Sequence, residues 1–303
     1  MLGGIDEAIA VLKLCSHDWK ALEVHALHDG DRISPWETVL TIEGDYTLFA
    51  HLETVYLGVL ARRTLISTST ARVLEAARGK PIIFMPARHD HHRVQTGDGY
   101  AAYVAGAMVG APVGVTSDAQ ASWWGGRGVG TVPHALIAAY GGNTVAAAEA
   151  FARWAPEDFH ITVLVDFEND SVRTALEVAA ALGPRLWGVR LDTSGQLVDR
   201  ALWDAMGDFD PRGVNERLVR KVRIALDEAG YGHVRIVVSG GFHAERIRAF
   251  ESRGVPVDSY GVGSSLIRGE NDFTADVVLV DGEAKGKRGR EHAPSDRLVL
   301  VDR

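Results

Sequence analysis

Residues 234–266 read VRIVVSGGFHAERIRAFESRGVPVDSYGVGSSL, and the placing of apolar and glycine residues in them decides the fold. VRIVVSG (234–240) is a short, continuous apolar run rich in β-branched residues and stopped by glycine, the pattern of a buried strand. VDSYGVG (257–263) repeats it. Strands that are apolar throughout, rather than at alternate positions, belong to sheets covered on both faces, and such sheets are parallel. Outward from this pair, PIIFM (81–85), PVGVT (112–116), ITVLVDF (161–167) and LWGVRLD (186–192) have the same character. The runs between them, such as TALEVAAAL and RLVRKVRIALDEAG, have helical spacing. Six such β-α alternations predict an α/β fold whose parallel sheet closes, or nearly closes, into an irregular barrel. A doubly wound open sheet is the alternative.

The chain ends read differently. LEVHAL, the turn HDGDRISP and ETVLTIEG suggest two short strands around a Gly/Asp/Pro turn. Residues 51–78 have helical spacing, with Leu52, Val55, Tyr56, Val59 and Leu60 on one face and Gly79 as the stop. From about residue 276 short strands and turns return, and they are expected to pair with the N-terminal strands. Residues 1–20 carry no interpretable pattern. The expected organisation is therefore a small sheet module with its linking helix (1–78), a barrel-like catalytic domain (79–270) and C-terminal strands packed on the module (271–303).

Composition narrows the function. The chain has 303 residues, 46% of them hydrophobic, which suffices for a large core. Acidic residues outnumber basic ones 40 to 32, for a net charge of −8, which disfavours nucleic acid as a partner. The single cysteine, Cys15, rules out a disulfide framework and a cysteine-based zinc site. His91-His92 lack a second ligand pair at a recognisable spacing, so no metal site is expected in the chain. There is no apolar run of membrane-spanning length and no leader pattern, so a cytoplasmic location is expected.

In parallel β/α folds the chemistry sits at the C-terminal ends of the strands. Each predicted strand end here carries charged, hydroxyl or glycine residues. Ser239-Gly240-Gly241 and Gly261-Val262-Gly263-Ser264 each place glycines between strand and helix, where backbone N–H groups can approach an anion. Late strand pairs of barrels often hold a phosphate in this way, and two glycine turns in register favour that reading over turn geometry alone. Asp166 and Glu168, with Asp192 and Ser194, would suit ribose hydroxyls or magnesium, and Asp170 and Ser194 would equally suit helix capping. Arg88, beside His89, His91, His92 and Arg93, forms a cationic cluster. In GTVPHALI (130–137), Pro133 suits a first helical turn and His134 would stand among its free N–H groups, either as a phosphate neighbour or as a capping histidine. Lys285, Lys287, Arg288 and Arg290 read as a surface segment that would also be able to fold over phosphates, and Trp123-Trp124 as packing.

LETVYLGVLARRTLISTSTARV, PARHDHH, GTVPHALI, VRLDTSG, VVSGGF and YGVGSSL occur in an order that resembles the nicotinate phosphoribosyltransferase family, among the type II phosphoribosyltransferases, from roughly residue 30 to residue 290. The resemblance implies a small N-terminal module on an irregular α/β barrel. It implies that nicotinate is joined to 5-phosphoribosyl-1-diphosphate, giving nicotinate mononucleotide and pyrophosphate with coupled ATP hydrolysis, and that Mg2+ is required. In that family the histidine of the GT-x-x-H motif, here Thr131 to His134, is phosphorylated by ATP. Arg88 would then meet the pyridine carboxylate or a phosphate, and Asp192, with Arg190, Asp166 and Ser194, would serve the ribose and phosphates. Ser239, Gly240, Gly241, Gly261, Gly263 and Ser264 would cradle the 5-phosphate. An Asp-x-Tyr motif with which the family usually opens is not found, and His89 follows Arg88 where the family often has paired arginines. Quinolinate and nicotinamide phosphoribosyltransferases, and a nucleotide-binding member without turnover, are the alternatives within the fold. A barrel aldolase or isomerase would want a lysine at a strand end, and there is none. A twofold homodimer is expected.

Overall fold

Residues 1–302 are described by a computed structural model of the chain. The uninterpreted N-terminus forms helix α1 (Ile5–Cys15), which buries Ile5, Ala8 and Leu12. Asp29 caps it from a distant loop, with Oδ1 accepting from the Ile5 N–H at 2.7 Å. A cap supplied from outside the segment leaves no local signal, so the sequence pattern was silent here. Strands β1 (Glu23–Ala26) and β2 (Leu40–Glu43) pair antiparallel, with Val24 opposite Ile42. Helix α2 (Glu53–Ala76) follows. Leu52, just before it, and Tyr56 and Leu60 in its first half are buried, whereas Val55 is 47% exposed. The stripe thus runs at i, i+4 and i+8, and Val55 lies off its edge, a correction to the expected face.

The six apolar runs become β3 (Ile82–Phe84), β4 (Val113–Val115), β5 (Ile161–Leu164), β6 (Leu186–Leu191), β7 (Arg235–Val238) and β8 (Ser259–Val262). Every pairing among them is parallel, in the order β4-β3-β8-β7-β6-β5. Helices α3 (Gln95–Val109), α4 (Asp118–Ala121), α5 (His134–Ala139), α6 (Thr144–Trp154), α7 (Ser171–Leu182), α8 (Glu216–Glu228) and α9 (Ala244–Ser252) fill the connections. All four residues of β5 and of β8 are buried, as continuous apolar strands require.

The sheet curls into a half-barrel, and a short segment spans its gap. The Val129 N–H donates to the Val115 carbonyl of β4 at 2.6 Å, and the Val132 N–H to the Thr162 carbonyl of β5 at 2.8 Å. Val132 also pairs in parallel with Val163. One stretch of four residues is therefore bonded to both edge strands, which an open doubly wound sheet does not allow. The irregular barrel is the architecture.

Towards the C-terminus, β9 (Leu279–Val280) and β10 (Glu283–Ala284) form a hairpin, and β11 (Val299–Leu300) pairs antiparallel with β1. The small sheet has the order β11-β1-β2, so both ends of the chain build it. The chain makes two compact units. One comprises residues 1–71, 100–108 and 267 onward, the other residues 72–99 and 109–266. No helix among the described residues is long and apolar enough to cross a membrane.

Candidate active site

Strand periodicity assembles the centre of the site. Arg190 and Asp192 are two apart at the end of β6, so their side chains leave the same face. The register of β6 on β7 sets Leu191 beside Val238, which brings the following residues, Asp192 and Ser239, together. The Arg190 guanidinium then spans three elements. Its Nε donates to Ser239 Oγ at 2.8 Å, Nη1 to Thr131 Oγ1 at 3.2 Å and Nη2 to Asp192 Oδ2 at 3.1 Å. Ser239 Oγ in turn donates to Asp192 Oδ1 at 2.6 Å. Each member orients another, and most of each side chain is shielded from water, so the cluster is rigid.

His134 stands next to Thr131 on the segment that closes the barrel. Its Nε2 lies 3.0 Å from Oδ1 of Asp166, which follows β5. The carboxylate is 5% exposed and the imidazole 44%. The hydrogen bond to Asp166 pushes the His134 pKa above its usual range, with the charges of Asp166 and Asp192 adding to the effect and burial and Arg190 opposing it. With Nε2 committed to the carboxylate, Nδ1 keeps a free lone pair whenever the ring is neutral.

His134 opens α5, and Pro133 is the residue capping that helix rather than its first helical residue. The Pro133 carbonyl accepts from the N–H groups of Leu136 and Ile137. Helix α5 has six residues, too short for a substantial dipole, and His134 at its start is held by the Asp166 carboxylate.

The glycine turns lie at adjoining strand ends. Gly240 and Gly241 have φ of 84° and 75°, backbone that other residues adopt only at a cost. At Gly261 a Cβ would come within 2.8 Å of Met85 Sδ and 3.1 Å of Ser239 Cβ. At Gly263 it would lie 3.3 Å from His89 Nε2, so the β3 and β8 loops meet there. Ser264 begins a single 3-10 turn (Ser264–Leu266).

Other expected residues fall outside this cluster. Arg88 is exposed on the 3-10 turn Ala87–His89 and makes no hydrogen bond among the described residues. Ser194 is exposed and accepts from the Gln196 N–H, capping no helix. Glu168 is bound to Arg173 at 2.6 Å, away from the Arg190 network. Asp170 precedes α7 without capping it, and the Ser171 N–H is taken by Asp199 instead. Arg290 lies over the Trp36 ring and beside Asp276, and Lys285 pairs with Glu283, all within the first unit.

Two polar residues escaped the sequence reading. Gln120 is buried in the short helix α4, its Oε1 accepting from the Thr116 N–H, Thr116 Oγ1 and Ser117 Oγ that follow β4. Arg246 sits in the first turn of α9, where a cation opposes the helix dipole, and that unfavourable placing was the available signal. No group of three or more His, Cys, Asp or Glu among the described residues is arranged to hold a metal ion.

The barrel and this cluster define a class, α/β barrels with their polar groups gathered at the C-terminal rim of the strands. Residues 1–64 match the family model for the N-terminal domain of quinolinate phosphoribosyl transferase. A nicotinate phosphoribosyltransferase of Mycobacterium tuberculosis is 34% identical over 291 residues, covering 93% of this chain and 59% of the relative. One from Bacillus subtilis is 26% identical over 272 residues, covering 87% and 50%. The solved structure of nicotinate-nucleotide pyrophosphorylase from Pyrococcus furiosus superposes with a TM-score of 0.81 at 32% identity, covering 99% of this chain and 72% of that one. Human nicotinic acid phosphoribosyltransferase shares the fold, with a TM-score of 0.62 at 18% identity, covering 86% and 65%. The chain belongs to the nicotinate phosphoribosyltransferase family. It spans between half and three fifths of the length of these two curated relatives.

Proposed function

We propose that the protein joins nicotinate to 5-phosphoribosyl-1-diphosphate, forming nicotinate mononucleotide and pyrophosphate for NAD biosynthesis, with ATP hydrolysis coupled through a phosphohistidine at His134. The observation that carries this reading is the Arg190–Asp192–Ser239–Thr131 network beside the His134–Asp166 pair. The names of the bacterial relatives support the choice of base. The pyridine nitrogen attacks C1 of the ribose as the C1–O bond breaks, and pyrophosphate leaves with the electron pair. Arg190 and the glycine N–H groups hold phosphate charge, Asp192 faces the electron-poor ribose, and Arg88 meets the pyridine carboxylate. Catalysis of this kind is largely positioning and fixed electrostatics.

In the coupled step His134 Nδ1 attacks the γ-phosphorus of ATP, ADP leaves, and water later returns the imidazole and releases phosphate. Asp166 orients the ring and balances its charge. Asp166 is hydrogen-bonded to His134 and Asp192 is paired with Arg190, so magnesium would be held chiefly by diphosphate oxygens and water, with these carboxylates at its edge. Bound there, the ion would neutralise the departing diphosphate. The reading further places the protein in the cytoplasm as a homodimer; a solution mass of 32.7 kDa by light scattering would rule the dimer out.

Nicotinate, ATP and the phosphoribosyl donor together should yield pyrophosphate and the mononucleotide. Absence of product with nicotinate, but turnover with quinolinate or nicotinamide, would move the assignment to another base. No product with any of the three overturns it. Terminally labelled ATP should mark the wild-type protein with acid-labile, base-stable phosphate and leave His134→Ala unmarked. Equal labelling of the two proteins would remove the role given to His134.

A further inference from the structure

Arg246 is a cation for which the reaction outlined above has no use. It rises from the first turn of α9, beneath the Ser239-Gly240-Gly241 turn. Its Nη1 donates to the Gly240 carbonyl at 2.8 Å, and its Nη2 donates to the Val214 carbonyl. The guanidinium also stacks on Phe242, 4.2 Å from the ring centroid. Phe242 is buried and packs edge-on against Phe250 at 5.0 Å, so the surface beneath the guanidinium is fixed. A Cβ on Gly241 would lie 3.5 Å from Nη1, which puts the cation in contact with the second glycine as well.

Two further facts give the arrangement a direction. First, no carboxylate among the described residues lies within ion-pair distance of Arg246, although most of its surroundings are protein, and burial alone lowers its pKa. Asp192, the nearest acid to Gly240, is committed to Arg190 and Ser239. A partly desolvated charge without a counter-charge is costly, and a fold keeps one where a ligand completes it. Second, the hydrogen bond to the Gly240 carbonyl holds that oxygen towards α9. Both glycines sit at positive φ, and with the carbonyl so anchored the turn keeps one conformation, leaving its N–H groups for an anion.

We propose that Arg246 is the positioning residue of the phosphate turn, locking Gly240-Gly241 in their left-handed conformation and supplying the fixed positive charge that the 5-phosphate of a phosphoribosyl ligand neutralises. The inference rests on the phosphoribosyl reading above but is tested separately from turnover. The probe is ribose 5-phosphate, with ribose as its uncharged control, measured by calorimetry against wild type, Arg246→Met and Arg246→Lys. Met keeps the stacking surface and loses charge and donors, whereas Lys keeps the charge.

Arg246→Met should weaken ribose 5-phosphate ~10–100-fold and leave ribose and nicotinate binding unchanged, and Arg246→Lys should recover part of the loss. In the coupled assay KM for the phosphoribosyl donor should rise while KM for nicotinate stays constant. Equal loss in Met and Lys variants, or equal loss for ribose and ribose 5-phosphate, would make Arg246 a structural residue only and overturn the proposal. If Arg246→Met does not fold, the Arg246 Nε resonance of the labelled wild-type protein, assigned through its absence in Arg246→Lys, decides. It should move with ribose 5-phosphate and not with ribose, and an unmoved resonance overturns the inference. Binding without turnover in wild type would defeat the catalytic reading while sustaining this one.

Discussion

At the scale of single residues, the His134–Asp166 pair makes a prediction whose sign is set by its geometry. The carboxylate raises the imidazole pKa, so the charged ring is favoured in the folded state. The stabilisation this gives is complete below the unfolded histidine value of about 6.5 and is lost as pH rises through the higher folded value. Nucleophilic attack needs the neutral ring, so phosphorylation by ATP should increase with pH through that raised pKa. Asp166→Asn should move the imidazole titration, read from its ring protons, to lower pH and slow labelling. A titration unchanged by that substitution would dissociate the two groups. Arg190→Lys keeps the charge but cannot reach Ser239, Thr131 and Asp192 together, so KM for the phosphoribosyl donor should rise ~10–100-fold. Steady-state kinetics showing an unchanged KM would remove Arg190 from the substrate site. The type and spacing of Arg190 and Asp192 were legible in the chain, because period two puts them on one face. That Thr131 completes their network was not.

Elements were legible where their signal was local. All six barrel strands lie within their apolar runs, each a residue or more shorter than its run at the end where polar site residues begin. The closing segment 129–132 has no local signal because it forms one bridge and a few hydrogen bonds rather than a ladder, and so needs no apolar run. Helix contacts yield a paired prediction about glycine. In α3, a Cβ on Gly99 would lie 2.2 Å from the backbone oxygen of Gln120 in α4, so the backbones of the two helices touch there. Gly99→Ala should destabilise by ~1–3 kcal/mol or more, since backbone has little room to yield. In α2, Gly58 has nothing within 4 Å of such a Cβ. Gly58→Ala should stabilise by ~0.5–1 kcal/mol. Denaturant melts that failed to rank the two variants in opposite directions about wild type would contradict this account of the packing.

Over the whole molecule, the chain ends meet in one sheet. The Val301 N–H donates to the Val24 carbonyl at 2.8 Å, and Arg297 binds Glu37 and the Arg32 carbonyl. Ending the chain after Asp296 removes β11 and these bonds, and leaves β1 with an open edge. The first unit should then melt earlier, by ~2–4 °C for each kcal/mol lost, with faster amide exchange in β1. Unchanged exchange in β1 would show that the pairing contributes nothing. The sequence by itself determined the parallel α/β character, the strand ends at which polar residues gather and the sheet built from both termini. These follow from residue periodicity and glycine turns, which are written in consecutive positions. Only the tertiary structure decided that the barrel closes through Val129–Val132, that His134 binds Asp166 and that Arg190 reaches Thr131. The partners in those two side-chain bonds lie 32 and 59 residues apart, and closing such loops is set by strand register and core packing rather than by any local pattern.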